Sequence, residues 1–277
     1  MINQMLNITD LLEIRHQIKA KKPLIHCITN HISINDCANV VLAVGAKPIM
    51  AEHPAEVSDI TASSKALAVN LGNITDTRME SMLISGKTAL EKNIPSIIDI
   101  VGVGCSNLRL DFTKKFIFAC HPSVIKGNMS ELKALCGVES GAKGIDVGEK
   151  DKITEDNIAN SLALLTSLSS KTGSVIAATG VVDIITDGTD TYLIENGCEM
   201  LSMITGTGCM LNVLAATFIS NKDIIGGTVL ATAFMGICGE LSQNVELLGK
   251  FKTTLLDYIF SLSDHQFKEK IKYHFCK

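Results

Sequence analysis

Pro23-Leu24-Ile25-His26-Cys27-Ile28-Thr29-Asn30 is a short apolar run that ends in polar residues, which indicates a β-strand followed by a loop. Residues 33–44 favour a helix, and Gly45 is placed to close it because glycine readily adopts the left-handed backbone that ends many helices. Lys47-Pro48-Ile49-Met50 is long enough for a second short strand. A strand, a helix and a strand in this order indicate one unit of an α/β protein.

The same alternation runs along most of the chain. Further strands are predicted at residues 66–71, 96–100, 123–126 and 174–178, and a hairpin joins residues 181–186 to 191–194. Helices are predicted at residues 75–92, 154–171, 209–220, 224–249 and 253–262. Short apolar strands that alternate with longer helices are typical of a mostly parallel sheet covered by helices on both faces. Without a linker, repeat or low-complexity tract, residues 1–277 are predicted to form a single domain.

Composition narrows the range of partners. Of the 277 residues, 46% are hydrophobic and 19% are charged, and the net charge is −4. Because no block is rich in Lys and Arg, nucleic acid is not an expected partner. The most apolar stretch, residues 226–239, is too short to span a membrane, and the N-terminus lacks a secretory pattern. The nine cysteines form no C-x-x-C pair, which favours reduced thiols and a cytoplasmic location.

Polar side chains lie at or just after the ends of several predicted strands. They are Asn30, Asp99, Lys126, Asn128 and Thr179. In parallel sheets, ligands bind beyond the carboxyl ends of the strands, so these residues are candidates for one shared site.

Asp99 and Glu131 are candidate magnesium residues, because carboxylates at strand ends can hold Mg²⁺ through water and phosphate oxygens. A capping or turn role explains Asp99 equally well. Asn128 and Glu131 also match the capping pair of a helix start, and that explanation is sufficient unless the fold brings them to Asp99.

Thr205-Gly206-Thr207-Gly208-Cys209 precedes an apolar helix. Glycines let the backbone approach an anion closely, and the free N–H groups of a helix start point towards it. No lysine follows the glycines, so this is not a Walker A loop. From the local pattern alone, a phosphate-binding loop and a glycine-rich helix start that serves packing are equally good interpretations.

Cys209 lies in the first turn of that helix, a position that typically lowers a thiol pKa. The thiol could therefore accept a proton from a substrate hydroxyl, although buried structural cysteines are more common. An aspartate is the more usual base beside a phosphate site. Phosphoryl transfer needs little from its base, because positioning and charge stabilisation dominate.

Seven blocks of sequence, in order and with similar spacing from about residue 10 to residue 263, carry a family resemblance. They are His26-Cys27-Ile28-Thr29-Asn30 with Asn35; Gly45-Ala46-Lys47-Pro48-Ile49-Met50-Ala51; residues 67–72; residues 99–104; Lys126-Gly127-Asn128-Met129-Ser130-Glu131; Ala178-Thr179-Gly180 with Asp183 and Thr186-Asp187-Gly188; and Thr205-Gly206-Thr207-Gly208-Cys209. Together they resemble the hydroxyethylthiazole kinase family.

The resemblance implies a ribokinase-like, three-layer α/β fold and an enzyme of thiamine salvage. With Mg²⁺, ATP would phosphorylate the hydroxyethyl group of 4-methyl-5-(2-hydroxyethyl)thiazole. A homotrimer with active sites between subunits is also implied. The implied site residues are Met50, Gly206 and Asn30 for the thiazole, Lys126 and Thr179 for ATP, Asp99 and Glu131 near Mg²⁺, Gly206, Thr207 and Gly208 as an anion hole, and Cys209 as the catalytic residue, in place of the aspartate usual in the wider ribokinase class.

Three positions depart from the family pattern, and one of them, Val103 in place of the usual alanine, is expected to add bulk near the phosphate loop. Lys126 stands where arginine is usual; lysine keeps the charge but loses the bidentate fork, which predicts looser nucleotide binding. Ile100 stands where proline usually follows Asp99, and it is expected to free the backbone there. Two other functions therefore stay open at this point. One is a kinase for a related alcohol such as hydroxymethylpyrimidine, which the pocket around Met50 would decide, and the other is a ligand-binding or regulatory relative with weak catalysis.

Overall fold

One nine-stranded sheet forms the centre of the computed structural model, which describes residues 6–138 and 158–276. The strands are β1 (Leu24–Ile28), β2 (Lys47–Ile49), β3 (Ala66–Asn70), β4 (Ser96–Asp99), β5 (Val124–Asn128), β6 (Val175–Thr179), β7 (Asp183–Thr186), β8 (Thr191–Ile194) and β9 (Tyr273–Cys276). Their order across the sheet is β2-β1-β3-β4-β5-β6-β7-β8-β9. Strands β1 to β6 run parallel, and β7 to β9 are antiparallel to their neighbours. The predicted mostly parallel sheet and the hairpin of β7 and β8 are confirmed.

Helices cover both faces of the sheet. One face carries α1 (Ile8–Lys21), α2 (Ile34–Ala43), α8 (Thr207–Ile219), α9 (Ile224–Ser242), α10 (Leu248–Ser261) and α11 (Asp264–Lys270); the other carries α3 (Val57–Ser63), α4 (Asp76–Glu91), α5 (Asn107–Cys120), α6 (Met129–Leu135) and α7 (Ile158–Thr172). Alternate strand residues point to opposite faces, so the buried Ile97 joins one core and its neighbour Ile98 joins the other. This gives the three-layer arrangement that was predicted.

The C-terminal part differs from the prediction in the bounds of α9 and α10 and in two elements that were not predicted, α11 and β9. The long helix predicted over residues 224–249 ends at Ser242, and α10 starts at Leu248. Strand β9, which was not predicted, extends the sheet by pairing with β8. The predicted start of the helix at residue 154 lies outside the described residues, and the single domain stays a prediction.

Helix α9 is longer than the apolar stretch seen in the sequence. With 19 residues and a mean hydropathy of 1.6, the whole helix is long and apolar enough to cross a membrane by length and composition, unlike the shorter stretch 226–239. However, 78% of its apolar window is buried inside the protein, where it packs on α8 and α10. Burial explains its apolar composition as that of a core helix.

The topology places the candidate residues along one edge. Because β1, β3, β4, β5 and β6 are parallel, their carboxyl ends open on the same side of the sheet. The register pairs Asn70 with Asp99, Asp99 with Lys126, and Asn128 with Thr179. Helix α8 lies over β3 and β4, and its first turn reaches this edge.

Candidate active site

A buried ion pair lies at the centre of this edge. Lys126 Nζ donates to Asp99 Oδ2 at 2.9 Å, and the two residues are only 4% and 3% exposed. Burial by itself would lower the pKa of Lys126, but the Asp99 carboxylate, assisted by Glu131, raises that pKa above its usual value. The ammonium group is therefore charged at neutral pH and offers a fixed positive charge beside the strand ends.

Glu131 joins the start of α6 to the glycine loop that follows β4. Its Oε2 accepts the N–H of Asn128 at 2.7 Å, and its Oε1 accepts the N–H of Gly102 at 2.8 Å. Asn128 in turn accepts the N–H of Glu131, so the predicted capping pair is present. Burial, together with the nearby charge of Asp99, raises the pKa of Glu131 to about 7. Besides capping α6, Glu131 therefore holds the glycine loop and lies close enough to Asp99 for the two charges to interact, and its role near Mg²⁺ stays a prediction.

The side chains of the glycine loop do not cover the start of α8. Gly206 has a φ of +96°, and a Cβ atom there would lie 2.9 Å from Ser33 Cβ, so the position favours glycine. Among the described residues, no side chain caps this helix; the Thr207 hydroxyl instead donates to Leu201 O at 2.8 Å. A Cβ on Gly208 would lie 3.7 Å from Lys126 Nζ. The open helix start is thus bordered by a cation, which fits the predicted anion hole.

Cys209 is nearly buried, with 7% of its surface exposed, and its sulfur accepts the Asn70 Nδ2–H at 3.4 Å. Burial, reinforced by the charge of Asp99, raises the pKa of this thiol. The expected lowering by the helix start is therefore wrong in direction, because burial and the neighbouring carboxylate outweigh it. The thiol is neutral at neutral pH, and its catalytic role stays a prediction.

Two residues of this edge were not found from the sequence. Asn70, at the end of β3, contacts both Cys209 and Asp99. Arg78 of α4 is buried and donates to the carbonyls of Gly72 at 2.6 Å and Thr29 at 2.7 Å. Its guanidinium therefore ties the loop after β1 to the loop after β3. A search for polar strand ends could have found Asn70, whereas nothing local in the sequence indicates the role of Arg78.

Of the residues predicted to bind the thiazole, Asn30 and Met50 come just after β1 and β2, and Gly206 lies at the start of α8. Asn30 begins a tight turn: its carbonyl accepts the N–H of Ser33 at 3.0 Å, and Ser33 lies against Gly206. Met50 follows β2 and packs half-buried against the core. The carbonyl after it, Ala51 O, is 2.9 Å from His26 Nε2, so a buried histidine holds this loop.

The residues predicted to bind ATP lie on the other side of the site. Lys126 is on β5, and Thr179 ends β6, where its hydroxyl donates to Gly127 O at 3.5 Å. Met50 and Asn30 are therefore not in one cluster with Lys126 and Thr179. The end of β3 and the open start of α8 lie between the two groups.

Ile100 strengthens the backbone beside the ion pair. Its N–H donates to Lys126 O at 2.9 Å, a bond that proline could not make because it lacks the N–H group. The side chain is fully buried and lies against Gly127. The expectation that Ile100 frees the backbone is therefore wrong: the residue extends the pairing of β4 with β5.

The carboxylates fit a magnesium ion that is held mainly through water. Within the described residues, no three His, Cys, Asp or Glu side chains are grouped closely enough to form a complete set of protein ligands. Asp99 Oδ2 already accepts two hydrogen bonds and the Glu131 oxygens accept one each, although an ionised carboxylate has about four lone-pair sites. Mg²⁺ usually keeps several waters and needs only one or two carboxylates beside phosphate oxygens.

Comparison with known proteins identifies the family. The sequence profile of the hydroxyethylthiazole kinase family matches residues 15–265. Hydroxyethylthiazole kinase 2 of Clostridium botulinum (strain Hall) is 65% identical over 261 residues, which cover 94% of this chain and 98% of that protein. This chain belongs to the hydroxyethylthiazole kinase family. The family resemblance and the kinase class predicted from the sequence are confirmed.

Solved structures agree with this family and with the fold. The structure of a hydroxyethylthiazole kinase protein from Pyrococcus horikoshii OT3 has a TM-score of 0.87 at 26% identity and covers 97% of this chain and 100% of its own. A ribokinase-like superfamily protein from Enterococcus faecalis V583 has a TM-score of 0.62 at 15% identity, covering 94% of this chain and 96% of its own. The second likeness concerns the fold alone. The predicted ribokinase-like fold is confirmed.

Proposed function

We propose that this chain transfers the γ-phosphoryl group of ATP to the hydroxyethyl group of 4-methyl-5-(2-hydroxyethyl)thiazole, as a cytoplasmic enzyme of thiamine salvage. The observation that carries the proposal is the uncapped start of α8, which is bordered by the Lys126 ammonium in a member of this kinase family. Main-chain N–H groups, the helix dipole and a fixed cation favour a transferring phosphoryl group at this point.

The order of the strands gives the proposed layout of the two substrates. The thiazole lies over β2 and β1 beside Met50, Asn30 and Gly206, and ATP lies over β5 and β6 beside Lys126 and Thr179. Three strand spacings separate β1 from β5, or roughly 14 Å, which leaves room for an alcohol and a triphosphate end to end. The transfer then takes place between them, at the start of α8.

In the proposed reaction, the substrate hydroxyl oxygen forms a bond to the γ-phosphorus while the bond from that phosphorus to the β,γ-bridging oxygen breaks, and ADP leaves. Cys209 lies beside the hydroxyl and accepts its proton when the thiol is ionised. Because the pKa of this thiol is raised, the larger contribution comes from the N–H groups of Gly206, Thr207 and Gly208 and from the charge of Lys126. Mg²⁺, when bound, neutralises phosphate charge, and Asp99 and Glu131 would hold it through water.

Self-association as a homotrimer, with sites between subunits, belongs to the same proposal. Ile32 and Met203 are 64% and 57% exposed, and both are within three residues of proposed thiazole-binding positions. Exposed apolar side chains next to a site are suited to contact with another subunit. Sedimentation equilibrium would test this part, and a species of one subunit at micromolar concentration would contradict it.

A coupled ADP-release assay tests the proposed function. Purified protein with Mg-ATP is given the thiazole alcohol, hydroxymethylpyrimidine or no acceptor, and the product is identified by mass spectrometry. We expect thiazole-dependent ADP release and a product heavier by one phosphoryl group. Preference for the pyrimidine would overturn the choice of substrate, whereas calorimetric binding of the thiazole without ADP release would identify a ligand-binding relative.

A further inference from the structure

Asn70 lies between the two halves of the proposed site. It ends β3, which separates the thiazole side at β1 from the nucleotide side at β4 to β6, and its side chain is fully buried. Its Oδ1 accepts the N–H of Gly72 at 2.7 Å. Since the oxygen is engaged there, the amide has a defined orientation, with Nδ2 and its two hydrogens directed at other partners.

Those partners are two candidate catalytic-site groups. Asn70 Nδ2 donates to Cys209 Sγ at 3.4 Å and to Asp99 Oδ2 at 3.2 Å. Asp99 Oδ2 also accepts from Lys126 Nζ at 2.9 Å. A continuous row of hydrogen bonds therefore runs from the first turn of α8 through β3 and β4 to β5. The bond to Gly72 would be enough to shape the turn after β3, so the two donated bonds need a different explanation.

We propose that Asn70 is a positioning residue for phosphoryl transfer. Its amide group holds the Cys209 sulfur, beside the acceptor hydroxyl, at a fixed distance from the Asp99 carboxylate, beside the phosphate groups. The acceptor and the phosphoryl group then meet in line. This inference rests on the proposed function, because the hydroxyl and the phosphate are assigned their sides by it. A displacement of about 1 Å in such a site can lower the rate about a hundredfold.

Two substitutions remove the donated bonds in different ways. Asn70→Asp keeps an oxygen for the Gly72 N–H and, when ionised, has no hydrogen to donate, and Asn70→Ala removes the whole amide. Asn212→Ala is the matched control: Asn212 is also fully buried, lies one turn after Cys209 on α8 and donates to Val69 O at 3.1 Å. In the described part of the chain it makes no hydrogen bond to Cys209 or Asp99, so its loss disturbs the same interface while the row of hydrogen bonds stays intact.

Steady-state kinetics separate positioning from a merely structural role. For both Asn70 variants we expect kcat per folded molecule to fall roughly thirty- to a hundredfold, while the KM values for ATP and thiazole change by less than about threefold. For Asn212→Ala we expect lower stability with kcat within about threefold of the wild type. Folded Asn70 variants that keep wild-type kcat, or an equal loss of kcat in the control, would overturn the proposal.

A double-mutant cycle tests whether Asn70 acts through the sulfur. With Cys209→Ala as background, the further effect of Asn70→Ala on kcat should be several-fold smaller than in the wild type, because one of its two partners is gone. Two losses that multiply in full would contradict action through Cys209.

Alkylation of Cys209 gives a readout that needs no substrate. The rate of iodoacetamide modification, followed on the Cys209 peptide by mass spectrometry, should rise several-fold in Asn70→Ala and stay unchanged in Asn212→Ala. An unchanged rate in Asn70→Ala would overturn the placement of the sulfur by Asn70. If the wild type fails to phosphorylate the thiazole, the proposed function fails, and this measurement still decides the role of Asn70 in holding Cys209. Should Asn70→Ala not fold, Asn70→Asp serves in the same assay.

Discussion

Two helices begin at the same edge of the sheet, and their starts are built in opposite ways. Helix α6 begins with Asn128 and Glu131, whose side chains accept each other's main-chain N–H groups. Helix α8 begins with Gly206, which has no side chain, and no neighbouring side chain of the described chain caps it. The side chains at the start of α6 accept its main-chain N–H groups, whereas the start of α8 leaves main-chain N–H groups available for another molecule.

The difference separates two uses of the same element. At the capped start of α6, Glu131 also accepts the N–H of Gly102. This bond holds the glycine loop that follows β4. The open start of α8 presents a partial positive charge next to Lys126. A glycine-rich helix start that served packing alone would not need a buried cation beside it. The comparison therefore favours anion binding at α8 over the packing interpretation that the local sequence left open.

The largest effect is expected from filling the open start. In Gly208→Val, the new side chain covers the N–H groups of α8 and approaches Lys126 Nζ, so kcat/KM for the thiazole should fall about a thousandfold. Gly249→Val is the matched control, because Gly249 is also the second residue of its helix and a Cβ there meets no atom within 4 Å. A similar loss in both variants would mean that α8 has no special role.

Removing the cation beside the open start should have the next largest effect. Lys126→Met leaves the buried Asp99 carboxylate without its ion-pair partner, and the free energy of unfolding should fall by about 3 kcal/mol. Urea unfolding measures this loss.

In contrast, Lys126→Arg restores the fork geometry and should lower the KM for ATP about threefold. An unchanged or higher KM in the arginine variant would contradict looser nucleotide binding by lysine.

In the loop after β6, as at the start of α6, a side chain accepts a main-chain N–H. The pH dependence of stability tests this contact. Asp183 Oδ1 accepts the N–H of Gly180 at 2.7 Å, and burial raises the pKa of Asp183 to about 7. The folded protein therefore binds the proton of the Asp183 carboxyl more tightly than the unfolded chain does. The stability that protonated Asp183 contributes is complete below about pH 4 and is lost as the pH rises through about 7. The stability of Asp183→Asn relative to the wild type should therefore increase by about 2 kcal/mol between pH 5 and pH 8. Parallel stability curves in urea titrations across this range would contradict the raised pKa.

The smallest effect is expected from opening the closed start. Asn128→Ala removes the side-chain cap of α6 and should lower the free energy of unfolding by about 1 kcal/mol. Since the bond from Gly102 to Glu131 remains, kcat should stay within several-fold of the wild type. A loss of activity as large as that of Gly208→Val would show that the two starts do not differ in function.

Much of the fold follows from local sequence. Strand β1 and helix α2 were predicted because an apolar run ends in polar residues and a glycine closes the following helix, both of which are signals within a few residues. Strand β9 was missed because its partner, β8, lies about eighty residues earlier in the chain. The break between α9 and α10 was predicted several residues too late, because both segments have helical composition and packing on different neighbours decides where each ends.

In the site, too, the local sequence predicts some residues, and contacts between distant elements decide the rest. The rule that ligands meet strand ends selected Asp99 and Lys126, which the fold joins in one ion pair. Asn70 has the same place in its predicted strand as Asp99, so the rule could have selected it, but only the fold shows that its side chain meets Asp99 and Cys209. The direction of the Cys209 pKa could not be obtained from its place in the helix, because burial and the Asp99 charge come from elements distant in sequence. The family resemblance supplied the roles, and the structure supplied the contacts.

Arg78 has a consequence for changing what this scaffold accepts. Its guanidinium holds the carbonyls of Thr29, Asn70, Gly72 and Asn73, yet these contacts use no substrate atom. Arg78 thus holds the backbone beside the proposed acceptor pocket, whereas Met50 and Asn30 are the residues proposed to line it. Substitutions that change which alcohol is accepted should therefore fall among the residues that line the proposed pocket, while Arg78 is retained.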